Sequence, residues 1–305
     1  MKRCNRSPWG LGLVVSLLGL AACQKQPAEA PGAQPPPPPP PALPAAPPVV
    51  LAVGDIARCD LESDEATAAL LDTQPGTILT LGDNVYPTGS VEAFTRCFEP
   101  SWGRHKARIR PAVGNHEYLE PNAAPYYDYF GAAAGERGKG YYSFELGAWH
   151  LVALNSELRG DAFEEQVRWL REDLSAHPAR CTLAYMHRPL FTSMGVRNNA
   201  FVRPLWDALY EAGAELMLNG HDHFYERYEP QAPDGRVDAE RGVREYVVGT
   251  GGANFYPLEP TQAHTALRLG ERYGVLKLTL EEDGYGWEFL QTDGGVGDQG
   301  RGVCH

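Results

Sequence analysis

Positive charge is scarce in this chain. Only 27 lysines and arginines stand against 39 acidic side chains, a formal net charge of −12. No basic surplus exists to neutralise a phosphate backbone, so nucleic acid is not expected as the main partner. A small phosphate is still compatible with an acidic protein if metal cations supply the positive charge locally. Cysteine is sparse too, six in 305 residues. No two of Cys59, Cys97, Cys181 and Cys304 are spaced C-x-x-C, which argues against a cysteine zinc site. No lysine completes Gly249-Thr250-Gly251-Gly252, so this segment is read as a turn rather than a nucleotide loop. Internal repeats and a second linker are also lacking.

What is present begins with a targeting signal. Lys2, Arg3 and Arg6 precede the apolar stretch Trp9–Leu20, which is too short to span a bilayer. It ends in Leu20-Ala21-Ala22-Cys23, which resembles the lipobox of bacterial lipoproteins. That resemblance implies cleavage before Cys23 and lipidation of its sulfur, hence export and membrane attachment through a lipid anchor. An ordinary secretory signal cut near Ala22 is the alternative. Between Pro27 and Pro48 stand twelve prolines, seven of them consecutive from Pro35. Such a segment packs no core and favours an extended polyproline II spacer. The alternative is a proline-motif ligand for a partner domain. The expected layout is therefore a signal peptide over 1–22, a lipidated cysteine and linker over 23–48, and a catalytic domain over 49–305. In an oxidising compartment the four remaining cysteines form two disulfides, with three connectivities open. Cys59–Cys97 and Cys181–Cys304 are favoured, because Cys59 and Cys97 both sit just beyond ligand-bearing loops.

Within the domain, short apolar runs recur at Val49–Val53, Thr77–Leu81, Ile109–Val113, His150–Leu154, Cys181–Tyr185, Glu215–Leu218, Tyr246–Val248 and Gly274–Leu280. Their continuity and branched residues predict strands buried on both faces. Helical patterns lie between several of them, at Asp64–Leu71, Ala162–Ala176 and Phe201–Ala212. The alternation predicts an α/β fold, with Tyr273–Leu290 reading as antiparallel strands.

Five of the runs lead into a glycine-anchored or metal-ligating segment: Gly54-Asp55, Gly82-Asp83-Asn84-Val85-Tyr86, Gly114-Asn115-His116-Glu117, Met186-His187-Arg188 and Gly220-His221-Asp222-His223. In open α/β sheets, ligands gather beyond the carboxyl ends of the strands. Each segment alone is a common polar turn; five in order point to two cations about 4 Å apart that clamp a phosphoryl group. Hard oxygens with imidazoles, and one shared carboxylate, would hold them. Asp83 is the expected bridge, with Asp55, Tyr86 and His223 on one ion and Asn115, His187 and His221 on the other.

This ordered set resembles the calcineurin-like metallophosphoesterases. Within them it is most similar to the purple acid phosphatases, through Tyr86 three residues after the bridging Asp83 and through Asn219-Gly220-His221-Asp222-His223-Phe224-Tyr225-Glu226-Arg227. Other branches place a histidine where this chain has Ala57. The resemblance covers roughly Val49 to Leu290 and implies a sandwich of two mixed β-sheets flanked by helices. It also implies a ferric ion on Tyr86, paired with Fe(II), Zn(II) or Mn(II), and in-line attack on phosphorus by a metal-activated hydroxide. His116 would bond the phosphate or protonate the leaving oxygen; its alternative is a structural histidine. Glu117 would orient a neighbour or sit as a helix-end charge, and Asn84, Arg58 and Arg188 are candidate phosphate contacts. The family usually carries a further histidine between His187 and His221, and this chain has none; Arg197, Asn198 and Asn199 occupy that loop.

The resulting expectation is a phosphomonoesterase acting on small phosphate esters. A phosphodiesterase or nucleotidase on the same metals, and a non-catalytic surface lipoprotein, are the rivals. The aromatics Trp102, Tyr126, Tyr127, Tyr129, Tyr141 and Tyr142 are read as packing rather than a ligand pocket. His105, His150, His177, His264 and His305 match no motif.

Overall fold

In chain order the strands are β1 (Val49–Val53), β2 (Ala57–Arg58), β3 (Thr77–Leu81), β4 (Val85–Tyr86), β5 (Ile109–Ala112), β6 (Tyr142–Leu146), β7 (Trp149–Ala153), β8 (Cys181–Met186), β9 (Leu216–Asn219), β10 (Tyr225–Tyr228), β11 (Arg244–Val248), β12 (Thr265–Leu269), β13 (Gly274–Leu280), β14 (Gly284–Gln291) and β15 (Val296–Val303). This computed structural model describes residues 46–194 and 199–305. Cys23, the signal segment, nearly all of the proline-rich linker, Arg197 and Asn198 lie outside the described residues.

Six strands make one sheet, in the order β15-β14-β13-β1-β3-β5, and seven make another, β12-β10-β11-β9-β8-β7-β6. Both are mixed. The neighbours β1, β3 and β5 are parallel, as are β7, β8, β9 and β11. The outer strands of each sheet pair antiparallel. Parallel neighbours need a crossover, and helices supply it: Asp161–Ala176 between β7 and β8, and Arg203–Glu211 between β8 and β9.

Alternating side chains on β8 show how the layers are glued. Leu183 and Tyr185 point into the core between the sheets, beside Leu51, Leu79 and Leu278. Ala184 and Met186 point outward, against Leu170, Leu205 and Trp206 of the two helices. A strand covered on both sides is apolar without interruption, which is why these runs are visible in the sequence. Boundaries move by a residue or two from expectation, and the last helix begins at Arg203 because Ala200–Val202 forms a tighter turn ahead of Pro204. The aromatics named above pack as expected, with Trp102, Tyr126 and Tyr127 buried in the core.

Disulfides join Cys59 to Cys97 and Cys181 to Cys304. The second ties the chain end to the start of β8 across a sequence separation of 123 residues, a closure that restricts the unfolded chain strongly. Replacing both Cys181 and Cys304 by serine is expected to cost about 2–5 kcal/mol. Denaturant titration of the variant checks this; an unchanged midpoint would mean the link adds nothing.

Candidate metal centre

Every ligand candidate but Tyr86 sits just past the carboxyl end of a strand. Asp55 follows β1, Asp83 follows β3, Asn115 follows β5, His187 follows β8, and His221 and His223 follow β9. Tyr86 ends the short β4, which pairs with β2. Close approach dictates the local sequence. A Cβ on Gly114 would lie 2.2 Å from Asp83 Oδ1, so only glycine lets the two loops meet. Asp55, Asp83 and His221 themselves adopt φ of 60°, 48° and 75°. Left-handed backbone costs a non-glycine residue on the order of 1–3 kcal/mol and clusters at functional sites.

Two groups of donor atoms emerge, and they meet at one carboxylate. In the first, Tyr86 Oη lies 2.7 Å from Asp55 Oδ1, 3.2 Å from Asp83 Oδ2 and 3.2 Å from His223 Nε2. In the second, His187 Nε2 lies 3.2 Å from Asp83 Oδ2, 3.2 Å from Asn115 Oδ1 and 3.1 Å from His221 Nδ1. Asp83 Oδ2 belongs to both. Tight turns after Gly220, with Asp222 N donating to Gly220 O and Phe224 N to Asp222 O, send His221 to one group and His223 to the other.

The outer contacts decide which nitrogens face inward. His187 Nδ1–H donates to the Leu81 carbonyl at 2.9 Å, and His223 Nδ1–H donates to the Asn254 carbonyl at 2.5 Å. Each ring therefore turns Nε2 to the centre, the usual arrangement for a metal-ligating imidazole. Carboxylate oxygen, amide oxygen and ring nitrogens then converge at about 3 Å. Lone pairs so gathered fit a cation, since ligand bonds of about 2.1 Å place neighbouring donors roughly 3 Å apart. Oxygen donors with imidazoles and a phenol suit hard or borderline metals.

Opposite charges hold one another among these donors. Burial opposes ionisation of Asp83, yet His187 beside it holds the carboxyl well below its usual range. Burial likewise opposes charge on His187, and Asp83 overrides it, raising the imidazole well above its ordinary value. Burial, then Asp55 and Asp83, push the Tyr86 phenol far up, and its O–H donates to Asp55.

The other predicted residues divide. His116 packs on the Tyr86 ring with centroids 4.4 Å apart. Its Nδ1 donates to the Pro87 carbonyl, and its Nε2 lies 3.8 Å from Asp83 Oδ2 at the partly open edge of the centre. Arg188 also borders the centre, with Nη1 3.0 Å from His221 Nε2. Arg58 stands one step behind: it bonds Asp60 twice and donates to Asn254 Oδ1, while the Asn254 carbonyl holds His223. It also borders a cavity of about 510 Å³ that reaches Tyr86 and Pro87. Asn84 departs from expectation. It is fully buried and gives its amide N–H to the Ala112 carbonyl, so here it braces the loop rather than facing a substrate. Glu117 opens a short 3-10 turn, and its buried carboxyl accepts N–H groups of Asp83, Asn84 and Gly114, lashing two ligand loops together.

Three contributors escaped the sequence reading. Glu157 accepts from Arg188 Nε at 2.7 Å and aims that guanidinium. Asn254 orients His223 through its carbonyl, and Tyr256 stacks on the His223 ring at 4.0 Å. Asn254 and Tyr256 follow Gly249–Gly252, whose turn lies against Asp55 through Gly251 N–Gly54 O and Ala253 N–Asp55 O bonds.

Known proteins share both sequence and fold with this chain. Purple acid phosphatase 23 of Arabidopsis thaliana is 28% identical over 216 residues, covering 57% of this chain and 46% of its own length. Human acid phosphatase type 7 is 29% identical over 193 residues, covering 52% and 43%. The chain thus spans less than half the length of these relatives. Among solved structures, a purple acid phosphatase from yellow lupin (Lupinus luteus) seeds superposes with a TM-score of 0.66 at 19% identity, over 83% of this chain and 53% of that one. GAP50, the anchor in the inner membrane complex of Plasmodium, superposes with 0.67 at 13% identity, over 86% and 90%. The calcineurin-like phosphoesterase family matches residues 48–225, a stretch that holds all seven predicted ligands. With more than half of its residues inside that match, the chain belongs to the calcineurin-like phosphoesterase family.

Proposed function

We propose that this protein is a binuclear-metal phosphoric ester hydrolase, acting first of all on small phosphate monoesters. The observation that carries the reading is Asp83 Oδ2, equidistant at 3.2 Å from the Tyr86 and His187 donor atoms of two separate groups. Asp55, Tyr86 and His223 would hold one cation and Asn115, His187 and His221 the other, with Asp83 shared. When bound, the pair supplies Lewis acidity toward the phosphoryl oxygens and an ionised water. Tyr86 favours a ferric ion in its group, with iron, zinc or manganese in the second.

The chain's own groups position and protonate. His116, its Nδ1–H fixed by the Pro87 carbonyl, offers Nε2 beside the centre as the proton donor to the leaving oxygen. Arg188, braced by Glu157, brings the positive charge that an acidic chain otherwise lacks. With His221 Nδ1 serving a cation, the imidazole carries its proton on Nε2, so Arg188 loses its acceptor there and can turn to a phosphate oxygen. It would take over part of the role of the histidine missing from this loop. Export and a lipid anchor at Cys23 complete the reading; the supporting features are the basic and apolar leader and the Ala-Ala-Cys junction.

The test is kcat/KM for an aryl phosphate monoester against the matching diester, on protein reconstituted with iron plus zinc or manganese. A monoester preference of tenfold or more is expected. A diester preference would shift the substrate class to phosphodiesters, and no turnover of either by metal-filled protein would leave a binding protein. The iron-loaded form is further expected to absorb in the visible, and Tyr86→Phe to lose that band.

A further inference from the structure

Among the described residues, one other set of three side chains brings metal-ligating atoms within 4.8 Å of one another: His150, Asp173 and His177. It lies far from the centre just described. His150 enters at the second residue of β7 and pairs with Thr182 of β8, five residues before His187. At about 3.3 Å per strand residue, the two places are roughly 16 Å apart along the sheet.

The set is assembled from three elements. His150 is on the sheet face that packs against the helix Asp161–Ala176, and Asp173 is in the last turn of that helix. His177 is the residue that ends it, one turn beyond Asp173, a spacing that stacks two side chains on one helix face. His150 Nε2 lies 2.8 Å from Asp173 Oδ2, and His177 Nδ1 lies 3.3 Å from Asp173 Oδ1. The two rings stack, with centroids 5.1 Å apart. Supporting contacts are in place as well. Glu145 on β6 takes the other ring nitrogen of His150 at 2.7 Å, and Ser143 donates to Asp173 Oδ1 at 2.7 Å. A carboxylate on the far nitrogen of an imidazole is the arrangement that fixes a ligating histidine and raises its basicity.

We infer that His150, Asp173 and His177 form a second, separate cation site for a borderline divalent metal such as zinc, with Glu145 and Ser143 orienting the ligands. Two imidazoles and one carboxylate are a donor set that zinc accepts, leaving a fourth position for water. That position is available because half of the His177 side chain is exposed, whereas His150 is 1% and Asp173 7% exposed. Binding takes the place of the proton on His150 Nε2, so one proton leaves as the cation enters, and His177 Nδ1 gives up its contact with the Asp173 carbonyl as its proton moves to the ring's Nε2. The metal would staple the edge hairpin β6–β7 to the end of the helix behind it. This inference does not depend on the hydrolase reading.

The full chain, stripped by chelator and then titrated with zinc, tests it through the number of equivalents bound. Wild type is expected to hold one zinc per chain more than His177→Ala, whatever the other centre takes up, with monoester turnover the same in both. His177 is surface-exposed enough that its truncation leaves the fold intact; Asp173→Asn provides a second variant with the same expected loss. Glu145→Gln should keep the site but weaken it about 10- to 100-fold. Equal zinc content and affinity in wild type and His177→Ala would overturn the assignment.

Discussion

Asp83→Asn is expected to abolish phosphate-ester turnover, lowering kcat/KM by at least about a thousandfold, or ~4 kcal/mol of transition-state stabilisation. The substitution is nearly isosteric, so the left-handed loop and the His116 N–H bond to Oδ1 survive with an amide oxygen as acceptor. What disappears is the negative charge at Oδ2, where the Tyr86 and His187 groups meet. In its place an NH2 would point hydrogens at atoms that must carry lone pairs. One cation equivalent should be lost together with activity, and metal analysis on the same sample separates this from misfolding. Retained turnover with two metals bound would sink the bridging role.

Protons compete for the same atoms, and the direction follows from the shifts. Asp83 is depressed, so its favourable contribution to the cation-free protein is present above its unfolded value near 3.9 and is lost as pH falls through the lower folded value. His187 is raised, so its contribution is present below about 6.5 and is lost as pH rises through the higher folded value. Both are complete between about pH 4 and 6.5. A cation needs His187 deprotonated, so metal affinity is expected to climb from pH 5 to pH 8. Calorimetric titration at the two pH values checks it, and a flat profile would contradict the coupling.

The two-sided sheets were legible because their strands are apolar without interruption, and the candidate metal centre because glycine and ligand adjoin at four of its five main strand ends. Position along the chain does not specify direction, however. Asn84 adjoins Asp83 and looked like a phosphate contact, but its side chain turns into the core to meet the Ala112 carbonyl. Glu157, Asn254 and Glu117 act through backbone groups or through a partner distant in sequence, and such pairings leave no periodic trace. The strand β15 went unnoticed for another reason. Its sequence Val-Gly-Asp-Gln-Gly-Arg-Gly-Val has little apolar content, and three of its glycines lie against Trp287, Tyr285 and Leu269, where a side chain would clash. His150, Asp173 and His177 belonged to no motif; the sheet register and the last turn of a helix bring them together.

His116→Gln is expected to separate leaving groups. The imidazole Nε2 faces the centre 3.8 Å from Asp83 Oδ2, its Nδ1–H is committed to Pro87, and its side chain is 28% exposed. That position is open to a leaving oxygen on the solvent side, and it is where a proton is needed when a poor leaving group departs. A positioned acid contributes about 10²–10⁴-fold to such a step. An alkyl phosphate should therefore lose roughly a hundredfold or more in kcat. An aryl phosphate with an acidic phenol departs without help and should lose tenfold or less. Glutamine keeps a polar side chain of similar reach, so a mere bracing role for His116 predicts the same small loss for both esters. An equal loss for the two would assign His116 to holding Tyr86 and the Pro87 turn, and the proton would have to come from water.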